Sequence, residues 1–240
     1  MAQYWEDWSG STIGSEPTGW TKRWAHTSAT TYVVEEDTSG YAPAGRRLKI
    51  SKTVSQRSVL SMNAVDADPG RATAQIAVLM RVVTTPAAAS IAGPAARASG
   101  AAGSENGIAS VIANVGGVAR VRRMNYASGT GTFPDEVDIS PNTFTPYYWL
   151  VLNLNGTGYT ATIANAANPD TILATGSATV SITSAGWIGL FSFTSGIVVE
   201  VLAVGVGTGG DAAPRSAPSG TPVAFAGAVS NQTGTEGTAF

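Results

Sequence analysis

The sequence predicts an all-β protein built as an antiparallel two-sheet sandwich. Apolar residues recur with period two, the breaks between these runs carry turn residues, and no stretch shows the 3.6-residue period of an amphipathic helix. Ile76, Val78, Met80 and Val82 fall on one face of an extended chain, with Ala77, Leu79 and Arg81 on the other. Tyr148, Leu150, Leu152 and Leu154 alternate with Tyr147, Trp149, Val151 and Asn153. Both faces are apolar there, as in a central strand covered on both sides. Val199, Val201 and Ala203 alternate with Glu200, Leu202 and Val204. The same reading places strands at 31–34, 47–51, 58–62, 107–114, 118–124, 159–164, 178–182 and 187–193. Asp68-Pro69-Gly70, Gly116-Gly117, Asn155-Gly156 and Asn168-Pro169-Asp170 supply turns, with Asn155-Gly156 reading as a hairpin. The Ala-, Pro- and Gly-rich run 84–103 reads as a long surface loop.

Composition narrows the function classes. The chain has 240 residues, of which 43% are hydrophobic, so it can bury a sizeable core. Charged residues make up only 12%, about half the usual share. The net charge of −2 gives no global attraction to nucleic acid or anionic membranes. Thirteen of the fourteen basic residues precede Met124, and after Asp138 the only charges are Asp170, Glu200, Asp211, Arg215 and Glu236. A weakly charged surface rich in Thr, Ser, Asn and Gly suits a member of an assembly better than a free cytosolic enzyme. With no cysteine there are no disulfides, thiolate metal sites or cysteine nucleophiles. The N-terminus lacks the basic start and apolar run of a secretory signal. Residues 171–199 carry no charge, but Ser, Thr and Gly interrupt them before about 18 apolar residues accumulate, so no membrane insertion is expected.

From Gly207 the composition changes. Residues 1–208 are expected to form the sandwich, 209–221 a Gly/Pro/Ala linker, and 222–240 a strand-like segment too short to fold alone. Residues 209–240 are expected to leave the sandwich and contact another domain or subunit, because an unpaired strand needs a partner.

The order of elements over 1–208 resembles the concanavalin A-like, or laminin G-like, jelly roll. Trp5-Glu6-Asp7-Trp8-Ser9-Gly10 followed by Pro17-Thr18-Gly19-Trp20 looks like its opening strand and turn. Gly45-Arg46-Arg47-Leu48-Lys49-Ile50, Trp149 through Gly156, and Gly186-Trp187-Ile188-Gly189-Leu190 are similar to later strands, and 199–206 to the closing one. Chains of this style, without cysteine or signal, resemble virion proteins of tailed phages. Pro222-Val223-Ala224-Phe225 with 231–240 looks like the first strand of a bacterial Ig-like domain, or an arm contacting another subunit. The resemblance implies a non-enzymatic virion structural protein, a tail-fibre or tail-tip subunit acting in interaction or host attachment. It would be assembled in the host cytoplasm without secretion, among other virion proteins and copies of itself. A carbohydrate-binding lectin domain recognising a cell-surface glycan and a capsid decoration protein are the alternatives; no cofactor is implied.

Several residue groups invite a chemical reading. Glu136-Val137-Asp138-Ile139 resembles part of the Glu-x-Asp-x-Glu strand of laminarinase-type glycoside hydrolases. Ser140 stands where the second catalytic carboxylate would be, which removes the acid/base and leaves a surface loop as the reading. His26 is the only histidine and has no nucleophile elbow to serve. Asp66, Asp68 and Gly70 fit either a calcium loop or an Asp-Pro-Gly turn, the turn being the simpler. Arg120 and Arg122 share a strand face, beside Arg123; they fit a solvated face or a contact with an acidic partner. Trp5, Trp8, Trp20 and Trp24 fit the core of the sandwich or a sugar-stacking surface. Trp149 and Trp187 are expected in the core. No catalytic, cofactor or metal residue emerges, and no ligand-binding residue is assigned.

Overall fold

The computed structural model describes residues 2–24, 30–84 and 92–216. In chain order the strands are β1 (Ala2–Glu6), β2 (Trp20–Arg23), β3 (Thr30–Glu36), β4 (Arg46–Lys52), β5 (Ser58–Met62), β6 (Ala74–Thr84), β7 (Ala92–Ser99), β8 (Asn106–Val115), β9 (Val118–Ala127), β10 (Thr130–Asp138), β11 (Tyr148–Asn155), β12 (Gly158–Asn165), β13 (Ile172–Thr179), β14 (Trp187–Ser192) and β15 (Val198–Thr208). One turn of α-helix (Asn63–Asp66) and one 3-10 turn (Pro69–Ala72) lie between β5 and β6. The strands form two antiparallel sheets, a jelly-roll sandwich. The first has eight strands in the order β13-β12-β11-β6-β15-β4-β3, with β1 pairing the far half of β15. The second has seven, β10-β9-β8-β7-β14-β5-β2.

Alternation explains the core. Ile76, Val78 and Met80 on β6, Leu150, Leu152 and Leu154 on β11, and Leu48 and Ile50 on β4 face inward, meeting Leu60, Ile108, Ile112, Val121, Ile188 and Leu190 of the second sheet. Burying each such side chain stabilises the fold by roughly 1.5–3 kcal/mol. Two-residue hairpins join β8 to β9 through Gly116-Gly117 and β9 to β10 through Ser128-Gly129; all four residues have positive φ, which favours Gly.

Three expectations need correction. Residues 84–103 are not wholly a loop: β7 lies within them, almost entirely buried between β8 and β14. Its small residues are what a crowded strand requires. A Cβ on Gly93 would stand 2.0 Å from Ser110 O and 2.8 Å from Leu150 Cδ2. β7 pairs with β8 through Ala92–Ile112 and Ala95–Ala109, on either side of Gly93 and Pro94, whose ring has no N–H to donate. The strand expected at 178–182 is instead β13, centred earlier; Val180 and Ile182 pack on the core from an irregular segment, anchored by Val180 N donating to Thr157 O.

The third correction concerns the tail. Residues 209–216 have no regular secondary structure but lie back on the outer face of the first sheet instead of leaving it. A Cβ on Gly205 would come within 1.9 Å of Pro214 O, and one on Gly207 within 2.3 Å of Asp211 O. Ala213 N donates to Gln75 Oε1 at 3.0 Å, and Arg215 Nη1 to Pro169 O at 2.8 Å. The expected segment 222–240 lies outside the described residues.

Irregularity in β7 also places Arg97. Its φ of 53° accompanies a register shift, and the residue is buried. Arg97 Nη1 donates to Ile182 O, and Nη2 to Ala72 O and Gly156 O, all within 2.8 Å. One guanidinium thus ties three turns at one end of the sandwich.

Candidate functional site

At the opposite end of β11, the chain between β3 and β4 folds over the outer face of the first sheet. Asp37 Oδ2 accepts from Ser39 N at 3.0 Å and from Ser39 Oγ, whose oxygen in turn accepts from Tyr41 N. This short chain of bonds presents Tyr41 outward, 48% exposed, with its ring 5.7 Å from that of Tyr147 and tilted by 44°. The guanidinium of Arg81 sits 4.5 Å from the Tyr147 ring centroid, a cation–π contact. These groups line a groove of about 380 Å³ that also takes in Ser39, Pro141 and Asn165.

A charge network fixes the groove from below. Glu200 of β15 stands opposite both Arg81 of β6 and Lys49 of β4. Its Oε2 accepts from Arg81 Nε and from Tyr147 Oη, each at 2.7 Å, while Oε1 lies 3.1 Å from Arg47 Nη1. Burial, then the hydrogen bond to Glu200, pushes the Tyr147 phenol above its ordinary value, so it stays a donor. Burial also works against ionisation of Glu35, but hydrogen bonds from Arg47 and Lys49 outweigh it and hold that carboxyl below the usual range. The Asp37 side chain is fully covered. The carboxylates therefore face the network, and what faces the groove is an exposed aromatic ring, a guanidinium, an amide and a hydroxyl. An apolar plate beside a few convergent polar groups is the make-up of a small-molecule recognition site.

A second groove, of about 670 Å³, lies at the other end of the same strands, lined by Asn153, Asn155, Thr160, Ser177 and Thr179 with Pro134 of β10 at its rim.

The residue groups singled out by sequence are elsewhere. Glu136 and Asp138 are on the edge strand β10, not in a loop, and meet β9: Arg120 contacts both, and Arg122 Nε lies 2.9 Å from Glu136 Oε2. Arg122 also stacks 3.5 Å from the Phe133 ring centroid. The basic cluster is thus neutralised within its own sheet, and Arg123, expected beside a solvated face, is fully buried and paired with Asp135. Asp66 accepts from Arg23 and Ser61. Asp68 accepts from Gly70 N, Tyr4 and Thr208, so the turn reading holds and the carboxylate is occupied. His26 lies outside the described residues.

Of the tryptophans, Trp8 is buried between the sheets and Trp20 packs partly against it. Trp5 and Trp149 lie on the outer face of the first sheet, Trp24 and the partly buried Trp187 on that of the second. Trp149 is in the core as expected, in the cluster on the outer face of the first sheet and not between the sheets, whereas Trp187 is only partly buried. The groove residues Tyr41, Arg81 and Asn165 were not recognised from sequence. The available signal was a single charge in each of two otherwise apolar strands, Arg81 and Glu200, which turn out to be cross-strand partners. Among the described residues no group of three or more His, Cys, Asp or Glu is placed to hold a metal ion, and no helix is long and apolar enough to cross a membrane.

No protein-family model matches the chain, and no curated protein matches it in sequence. Solved structures share the fold. A Shewanella oneidensis protein of unknown function superposes with a TM-score of 0.59 at 12% identity, over 85% of this chain and 84% of its own. The carbohydrate-binding module CBM66 from Bacillus subtilis gives 0.50 at 17% identity, over 78% and 95%. The exoplasmic/lumenal domain of VIP36, in a calcium- and mannose-bound form, gives 0.50 at 11% identity, over 86% and 89%.

Proposed function

We propose that this protein is a non-catalytic glycan-binding module that serves host attachment as a tail-fibre or tail-tip subunit of a tailed-phage virion. The groove at Tyr41 carries the binding half of this reading. The exposed Tyr41 ring offers a flat apolar surface to the C–H face of a sugar. Arg81 and Asn165 beside it supply hydrogen-bond donors, with an amide acceptor, for sugar hydroxyls. Two proteins of the same fold, one described as a carbohydrate-binding module and one in a mannose-bound form, support it. The non-catalytic half is supported by the carboxylates nearest a catalytic pattern or the groove: Glu136, Asp138 and Glu200 are each held by arginine.

The virion context, with other virion proteins and further copies of the chain as neighbours, rests on the resemblance of 1–208 and of the low-charge, cysteine-free sequence to phage appendage proteins. A glycan array tests the binding reading. Wild-type protein is expected to bind a defined set of glycans, with at least one set member lost in Tyr41→Ala; an array silent for wild type, or unchanged by that substitution, overturns it. Antibody labelling of purified particles tests the location. Label on the tail supports it, whereas label on the capsid makes the chain a decoration protein.

A further inference from the structure

The groove at the other end of β11 and β12 has a different chemistry. β11, β12 and β13 together contain no Asp, Glu, Lys or Arg. The register sets Asn153 opposite Thr160, and Thr160 opposite Ser177, in one row across the three strands. Alternation turns that row to the outside, because Leu152, Leu154, Tyr159, Ala161 and Ala174 take the inward positions. In the neighbouring row Thr162 Oγ1 and Thr175 Oγ1 lie 3.1 Å apart. The polar part of the groove's lining is therefore amides and hydroxyls, groups that both donate and accept, beside the apolar Pro134 and Ala178.

Its floor is fixed. Beneath it Tyr159 Oη donates to Asn125 Oδ1 at 2.7 Å, and Asn125 Nδ2 donates to Thr179 O at 3.0 Å. Gly176, next to Ser177, lies directly on the buried Arg123 guanidinium, where a Cβ would meet Nη1 at 2.4 Å. A concave, preorganised surface of donors and acceptors without a charged side chain has no charge to attract a phosphate or a charged peptide. It suits a neutral, hydroxyl-rich molecule.

We infer that the Asn153–Thr160–Ser177 groove is a second glycan site, specific for uncharged sugars and independent of the groove at Tyr41. This rests on the glycan-binding reading above and adds to it a second valence on the same chain. Tyr147 in the first groove and Asn153 in the second are six residues apart and share the outer face, about 20 Å at the rise of an antiparallel strand. Two sites at that separation on a rigid sheet let one chain hold two sugars of the same polymer, so that the second contact is intramolecular.

The test is a glycan array probed with wild type, Tyr41→Ala, and the double variant Asn153→Ala/Thr160→Ala, whose substitutions are at exposed positions. Circular dichroism on each protein confirms that the sandwich is intact. Tyr41→Ala is expected to retain binding to a subset of uncharged glycans, and the double variant to lose at least tenfold in affinity for that subset while keeping the remainder. If Tyr41→Ala abolishes every signal and the double variant changes none, the second site is refuted and the first stands. If the double variant alone abolishes binding, the second site stands and the first is refuted. No binding by wild type overturns both.

Discussion

Between the sheets Trp8 is fully buried, its Nε1 donating to Val201 O at 2.8 Å and its ring 5.4 Å from that of Trp20. On the outer face of the first sheet Trp149 is nearly as buried, with its ring 6.4 Å from that of Trp5. The two tryptophans differ in what covers them. Trp8 is enclosed by two hydrogen-bonded sheets. The cluster around Trp149 is closed by Ala42 of the β3–β4 connection and Ala213 of the tail, in segments that join no strand ladder. The inner surface is therefore the one that makes the fold. The outer surface is a dressing laid on it, and the groove at Tyr41 is made where that dressing ends.

The largest effect should separate these two surfaces directly. Trp8→Ala is expected to destabilise the protein by about 3–5 kcal/mol, as a large cavity between rigid sheets does. Trp149→Ala should cost less, about 3 kcal/mol or below, because the covering segments can settle into the space. Equal losses in urea denaturation would break the comparison.

Lys52 probes the inner surface with a charge. Its Nζ donates to Thr30 Oγ1 and Ser58 Oγ, and burial lowers its pKa from 10.5 to about 8. Between those values the unfolded chain binds the extra proton, so stability rises with pH through that window. The stability of wild type relative to Lys52→Met is expected to improve by about 3 kcal/mol from pH 7.5 to 10.5. A flat difference would mean that Lys52 reaches water.

Gly205→Ala probes the dressing. The added methyl meets Pro214 O, so the tail must shift, at a cost of about 1–3 kcal/mol if it stays seated. Trypsin supplies the readout, since Arg215 is held at Pro169; cleavage after Arg215 should accelerate in the variant. The smallest effect belongs to Tyr41→Ala, expected within about 0.5 kcal/mol of wild type. A larger loss in thermal denaturation would make Tyr41 part of the scaffold.

The sequence was most legible where one rule decided the outcome. Period two located β6 and β11, and paired glycines located the β8–β9 hairpin. It was least legible where a neighbour decided. β7 reads as a loop because Gly93, Pro94 and its alanines are turn or filler residues by local preference, yet crowding against Ser110 and Leu150 selects small residues at that place. The change of composition from Gly207 reads as the approach to a linker, whereas Gly205 and Gly207 are the seat of the tail. The site was illegible because Tyr41, Arg81 and the Tyr147/Asn165 ends of the β11–β12 hairpin come from three distant stretches with no motif linking them. Only the register that puts Arg81 against Glu200, and the loop that carries Tyr41 back over Tyr147, brings them together.

The three carbonyls gathered by Arg97 bear on how such a sandwich can diversify. The turns at Ala72, Gly156 and Ile182 share one guanidinium, so an insertion in any of them withdraws an acceptor that helps position the other two. Variation at that end must be concerted. The β3–β4 and β10–β11 connections at the opposite end meet each other, through the Tyr41 and Tyr147 rings and from Tyr147 Oη to Asp37 Oδ1, so they can change as a pair without disturbing the Arg97 end. New specificities should therefore arise, by natural drift or by grafting, from exchange of residues 37–45 and 139–147, with the Arg97 end inherited as a block.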